Sequence, residues 1–184
     1  MLPFNAALLV IDLQNAIDHP KWTVHGPRNN PGAEQVVARL LATWREAGRP
    51  VFHIRHESPN PDSSYYRLGP GSPFKPEAAP LGNEAVVAKS VHSAFIGTDL
   101  EARLRASGIA TVVVCGVITN NSVETTVRMA ANLGFAVHLV EDACFTFPRP
   151  DHAGTMRSAE EVHAMSLAIM DGEYCTVVRA VEVL

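Results

Sequence analysis

No apolar run in this 184-residue chain approaches the length needed to cross a bilayer. The first residues, Met1-Leu2-Pro3-Phe4, lack the charged leader and long apolar stretch of a secretion signal. The sequence therefore predicts no membrane partner and a cytoplasmic location. An excess of one charge is missing too: the formal net charge is -4, and the 15 Lys and Arg residues are scattered rather than clustered. This argues against a nucleic-acid surface and for a small-molecule ligand. Cysteine is scarce: Cys115, Cys144 and Cys175 are odd in number, lack metal-ligand spacing and mostly sit in apolar strand contexts. They are expected to be reduced structural thiols. Internal repeats and low-complexity segments are absent as well.

What is present is alternation. Asn5 to Ile11 is an apolar run ending at Asp12, and Pro31 to Gly48 has helical spacing with Val36, Val37, Leu40, Leu41 and Trp44 inward. Val51 to Ile54, Glu84 to Ala88, the run 110–115, Ala136 to Val140 and Tyr174 to Val178 read as further strands. Between the later ones lie helices over Asp99 to Gly108, from about Thr119 to Gly134, and over Ser158 to Met170 with Val162, Met165, Leu167 and Ile169. The pattern predicts a single domain over 1–184: a Rossmann-like α/β/α sandwich around a mostly parallel sheet of about six strands. In such a sheet ligands bind at the carboxyl ends of the strands. The Pro-, Gly- and Ser-rich segment from Ser58 to Gly82 is expected to be a functional loop or a subunit contact.

Three residues with chemical potential fall at that edge: Asp12, Lys89 and Ser122. A carboxylate beside an ammonium gives a proton-transfer group of tunable pKa, and a helix start supplies donors for a developing oxyanion. Each also has a plain structural reading. Asp12 could be a turn residue, Lys89 a surface lysine, and Ser122 a helix cap.

The segments Val10-Ile11-Asp12-Leu13-Gln14, Lys89-Ser90-Val91-His92-Ser93-Ala94-Phe95, Gly116-Val117-Ile118-Thr119-Asn120 and Glu141-Asp142-Ala143-Cys144 together resemble the isochorismatase-like, or cysteine hydrolase, family. The resemblance covers nearly the whole chain in order. It implies a cofactor-free hydrolase with Asp12 and Lys89 in the family's catalytic roles. It further implies a cis peptide at Val117-Ile118, with the amides of Ile118 and Ser122 as the oxyanion hole. A homo-oligomer, dimer or tetramer, is also implied. At the position matching Ser122, hydrolytic members carry a nucleophilic Cys. A Ser hydroxyl needs a firm general base that a thiolate does not.

Two chemistries remain open on this reading. Ser122 attacks an amide or ester carbonyl with Asp12 as base, or Asp12 protonates a vinyl ether as the isochorismatases in this family do. A third expectation, motivated by the missing Cys, is a catalytically silent protein that binds a metabolite or a partner. The nicotinamidase metal motif is not matched, because Arg55-His56-Glu57-Ser58 lacks its aspartate, so neither His53 nor His56 is expected to hold a metal. Gln14, Trp22, His56, Phe95 and Asn121 are the expected pocket residues. His25, Arg28, Tyr65, Tyr66 and Arg67 are loop residues that could reach a polar or anionic substrate.

Overall fold

A computed structural model describes residues 2–184. Six strands form one sheet: β1 (Ala7–Ile11), β2 (Val51–His56), β3 (Ala85–Lys89), β4 (Thr111–Val117), β5 (Ala136–Phe145) and β8 (Thr176–Val178). Their order is β3-β2-β1-β4-β5-β8, and every pairing is parallel. Helices α1 (Ala33–Glu46), α2 (Leu100–Ala106), α3 (Glu124–Asn132) and α4 (Ala159–Met170) complete a three-layer α/β/α sandwich. A two-stranded hairpin, β6 (Arg149–Pro150) and β7 (Met156–Arg157), precedes α4.

The central strands are continuous apolar runs because helices cover both of their faces. Every residue of β1 and β4 is buried, and α1 lays Val36, Val37, Leu40, Leu41 and Trp44 onto the sheet. The chain winds from β1 outward to β3, then returns to place β4 on the other side of β1. That reversal opens a crevice at the carboxyl ends of β1 and β4, where ligands of open α/β sheets bind. Gly116 is required at this point. A Cβ there would stand 2.2 Å from the Ile11 carbonyl oxygen, and its φ of 117° is one that side-chain-bearing residues avoid.

Several boundaries differ from those expected. β2 runs on through His56, β3 ends on Lys89 rather than before it, and β5 reaches Phe145. Pairing explains this, since neighbouring strands continue the ladder past the apolar run: His56 pairs with Lys89, and Val117 with Phe145. The outward face of α4 exposes apolar side chains. Met165 and Ile169 are 63% and 48% exposed, whereas His163 and Ser166 turn inward. The two inward polar groups have partners: His163 Nδ1 lies 2.9 Å from Thr119 Oγ1, and Ser166 Oγ lies 2.6 Å from Glu124. Apolar residues spread around much of α4 do not announce which face those bonds will choose.

Candidate active site

Asp12 leaves β1 in the left-handed region, at φ 50°. Its N–H donates to the Ile54 carbonyl, and its own carbonyl accepts from Gln14 N–H and the Tyr65 hydroxyl, at 2.8 and 3.0 Å. A short polar residue tolerates this turn, and the surrounding bonds hold it there. The turn brings the carboxylate to Lys89, whose Nζ donates to Asp12 Oδ2 at 2.7 Å. The same ammonium reaches Val91 O at 3.1 Å, His56 Nδ1 at 3.2 Å and Ser122 Oγ at 3.3 Å. The carboxyl ends of β1 and β3 and the turn after β4 thus meet on one nitrogen.

Ser122 lies in a wide turn, Thr119–Val123, that follows a cis Val117-Ile118 peptide. Its hydroxyl caps no helix. The turn is braced from outside: Thr119 by His163, and Asn120 Oδ1 by the Thr146 hydroxyl at 2.6 Å.

Burial pushes the Asp12 carboxyl above its ordinary value, and the Lys89 charge only partly draws it back. Its second oxygen, Oδ1, has no hydrogen-bond partner among the described residues. His56 is pulled down to about 4 by burial and by the charge of Lys89. An ammonium can only donate, so Nδ1 of the neutral ring accepts from Lys89 and the ring proton sits on Nε2.

Asp12, His56 and Ser122 line a cavity of about 170 Å³ with Ile17, Lys21, Trp22, Ser63, Tyr65, His92, Val117, Ile118 and Asn121, and Lys89 lies buried behind this wall. Of the expected pocket residues, Trp22, His56 and Asn121 are in its wall. Gln14 is not: it is fully buried, with Oε1 accepting from His56 N–H and Nε2 donating to the carbonyls of His56 and Ser72. It ties strand ends together. Phe95 is not in the wall either, because it stacks on Phe135 at 5.8 Å in the core. Arg28 turns away to Glu34 and the Phe145 ring, and His25, Tyr66 and Arg67 lie outside the wall. The long loop contributes Ser63 and Tyr65; Gly71 lets it approach Ala16, since a Cβ there would meet the Ala16 Cα at 2.8 Å.

Ile17, Lys21 and His92 were missed, for no spacing rule marks an isolated loop residue as facing a cavity. A larger groove, about 850 Å³, runs over α4 and the hairpin, but none of Asp12, Lys89 and Ser122 lines it.

The three thiols are buried elsewhere, and burial raises Cys144 and Cys175 to about 12 and Cys115 well above its usual value. His53 is sealed in the interior, bonded through Nε2 to Glu84 at 2.9 Å and packed against Phe74. Three steps along a strand put His53 and His56 on opposite faces. Among the described residues no group of three or more His, Cys, Asp and Glu is arranged to hold a metal ion, and no helix is long and apolar enough to cross a membrane.

This fold, with an acidic strand end, a buried lysine and a braced turn around one cavity, is that of an α/β hydrolytic domain. The isochorismatase domain matches residues 6–172, and the chain belongs to the isochorismatase family, whose members are hydrolases. It is 39% identical to the isochorismatase family protein YrdC of Bacillus subtilis, over 93% of this chain and 90% of that one. It is 34% identical to streptothricin hydrolase of Streptomyces noursei, over 90% of this chain and 59% of that protein. The crystal structure of an isochorismatase-family protein from Chromobacterium violaceum is 56% identical. That alignment has a TM-score of 0.95 and covers 100% of this chain and 93% of that one.

Proposed function

We propose that the protein hydrolyses a small polar metabolite by acid catalysis from Asp12, with a vinyl ether as the bond broken. The observation that carries this reading is the state of Asp12: buried, raised in pKa, bonded to Lys89 through one oxygen and unpartnered at the other. Asp12 transfers its proton to the enol-ether carbon, and the π electrons form the new C–H bond. Water adds to the resulting oxocarbenium carbon and gives a proton back to the Asp12 carboxylate. The hemiketal then collapses to a carbonyl compound and an alcohol. Lys89 orients the carboxylate, and His56 and the turn at Ile118 to Ser122 form the wall.

The partner of the Ser122 hydroxyl favours this route. Its oxygen accepts from Lys89 at 3.3 Å, and its hydroxyl draws on the Asp12 carboxyl more weakly than Lys89 does, so the stronger partner of Asp12 is the ammonium and not the Ser122 proton. A second reading, attack by Ser122 on an amide or ester, is supported by its place in the cavity wall where the resemblance puts a nucleophilic Cys.

Turnover by wild-type, Asp12→Asn and Ser122→Ala proteins on enol ethers (isochorismate included), primary amides, N-carbamoyl compounds and esters separates the two. Asp12→Asn is expected to lose about 100- to 10,000-fold, the usual worth of a positioned acid, with Ser122→Ala within about tenfold of wild type. Amide or ester turnover abolished by Ser122→Ala would replace the first reading with the second.

A further inference from the structure

The chain has three lysines. Lys89 is held by Asp12, and Lys75 by Asp18 and Glu34. Lys21 has no carboxylate partner among the described residues, although it lines the same cavity as Asp12, with Nζ 5.0 Å from the Trp22 ring centroid. His92, exposed like Lys21, is in the wall too. Asp12 is the one acidic side chain of that wall: ionised, it is answered by Lys89 at 2.7 Å, and holding its proton it leaves the Lys89 charge to add to the positive excess. The remaining wall is apolar or neutral: Ile17, Trp22, Tyr65, Val117, Ile118 and the uncharged ring of His56. The cavity therefore carries at its exposed rim a positive charge with no acidic partner, beside an aromatic face. A cleft whose unpaired charge is of one sign focuses its field there and draws in an anion. At about 170 Å³ the space falls below the roughly 300–1,000 Å³ of common ligand pockets, so the ligand is small.

We infer that the cavity takes a small monocarboxylate, whose carboxylate seats against Lys21 and His92 while its hydrolysable group lies against Asp12 and Ser122. The orientation rests on the hydrolytic reading above; the preference for an anion does not. Lys21 here is a specificity residue, acting on binding rather than on the bond broken.

Calorimetric titration with two pairs of isosteres tests it: succinamate against succinamide, and malonamate against malonamide. Within each pair only the charge differs. The wild-type protein is expected to bind each carboxylate about fivefold more tightly than its uncharged partner, the upper end of what one exposed charge pair supplies. Lys21→Met should reduce that preference to less than about twofold, and Lys21→Arg should restore it. Equal affinities within the pairs, a preference untouched by Lys21→Met, or no measurable binding of either carboxylate would each overturn the inference. Because binding is read without turnover, the two proposals fail separately. Charge-selective binding by a protein inactive on the whole substrate panel would remove the hydrolytic reading alone, while Asp12-dependent turnover with no charge preference would remove this one alone.

Discussion

Lys89 Nζ lies 2.7 Å from Asp12 Oδ2, with the two side chains 0% and 4% exposed. A buried pair of this kind need not add stability over an apolar pair, but removing one partner leaves the other charge without compensation. Lys89→Met is expected to destabilise the protein by about 3–5 kcal/mol at neutral pH. The gap should narrow on acidification, because a protonated Asp12 carries no charge to desolvate. Urea unfolding of variant and wild type at pH 7 and pH 5 measures it, and a gap that does not change with pH would contradict the assignment.

The pH dependence of turnover should follow Asp12. Burial raises this group, so its protonated form persists above the ordinary carboxylate range. If the proton is the catalyst, kcat/KM is highest below the raised value and falls as pH rises through it. A rate that instead rises with pH across the same limb would make Asp12 a base and favour the Ser122 mechanism.

His56 is expected to act as a fixed, neutral donor. Its pKa of about 4 keeps the ring uncharged in neutral solution, and Lys89 fills Nδ1. His56→Phe keeps the edge-to-face ring contact with Tyr65 but removes both nitrogens, and should lower kcat/KM by about 10- to 100-fold, the worth of a hydrogen bond to a charged group. His56→Gln should recover part of the loss. Equal defects in the two variants, with normal folding by circular dichroism, would leave His56 only a packing role.

Glu84 tests the frame rather than the site. Its carboxylate accepts from Arg45 at 2.7 and 2.8 Å, from Leu81 N–H at 2.8 Å and from His53 Nε2 at 2.9 Å. Despite burial, these bonds hold it at about 2. A depressed carboxyl stabilises the fold above its ordinary value of 4.5 and loses that contribution as pH falls toward 2. Glu84→Gln should cost about 2–3 kcal/mol at pH 7 and little near pH 2, as read from thermal unfolding across that range.

Local pattern determined much of this protein. Continuous apolar runs announce strands covered on both faces, helical spacing announces α1, and alternation of the two announces the parallel sheet and the edge where Asp12, Lys89 and Ser122 lie. Those signals come from neighbours in sequence, so they can be read without coordinates. The tertiary structure decided what depends on distant partners. His56 and Lys89 enter their strands because each pairs with the other. Gln14 leaves the pocket because His56 and Ser72 bind it, and Phe95 because Phe135 stacks on it. Lys21 and His92 enter the wall although nothing nearby in the chain marks them. The state of Asp12 is tertiary as well. Its proton affinity balances desolvation by the whole interior against one ammonium 77 residues away, and that balance exists only once the chain has folded.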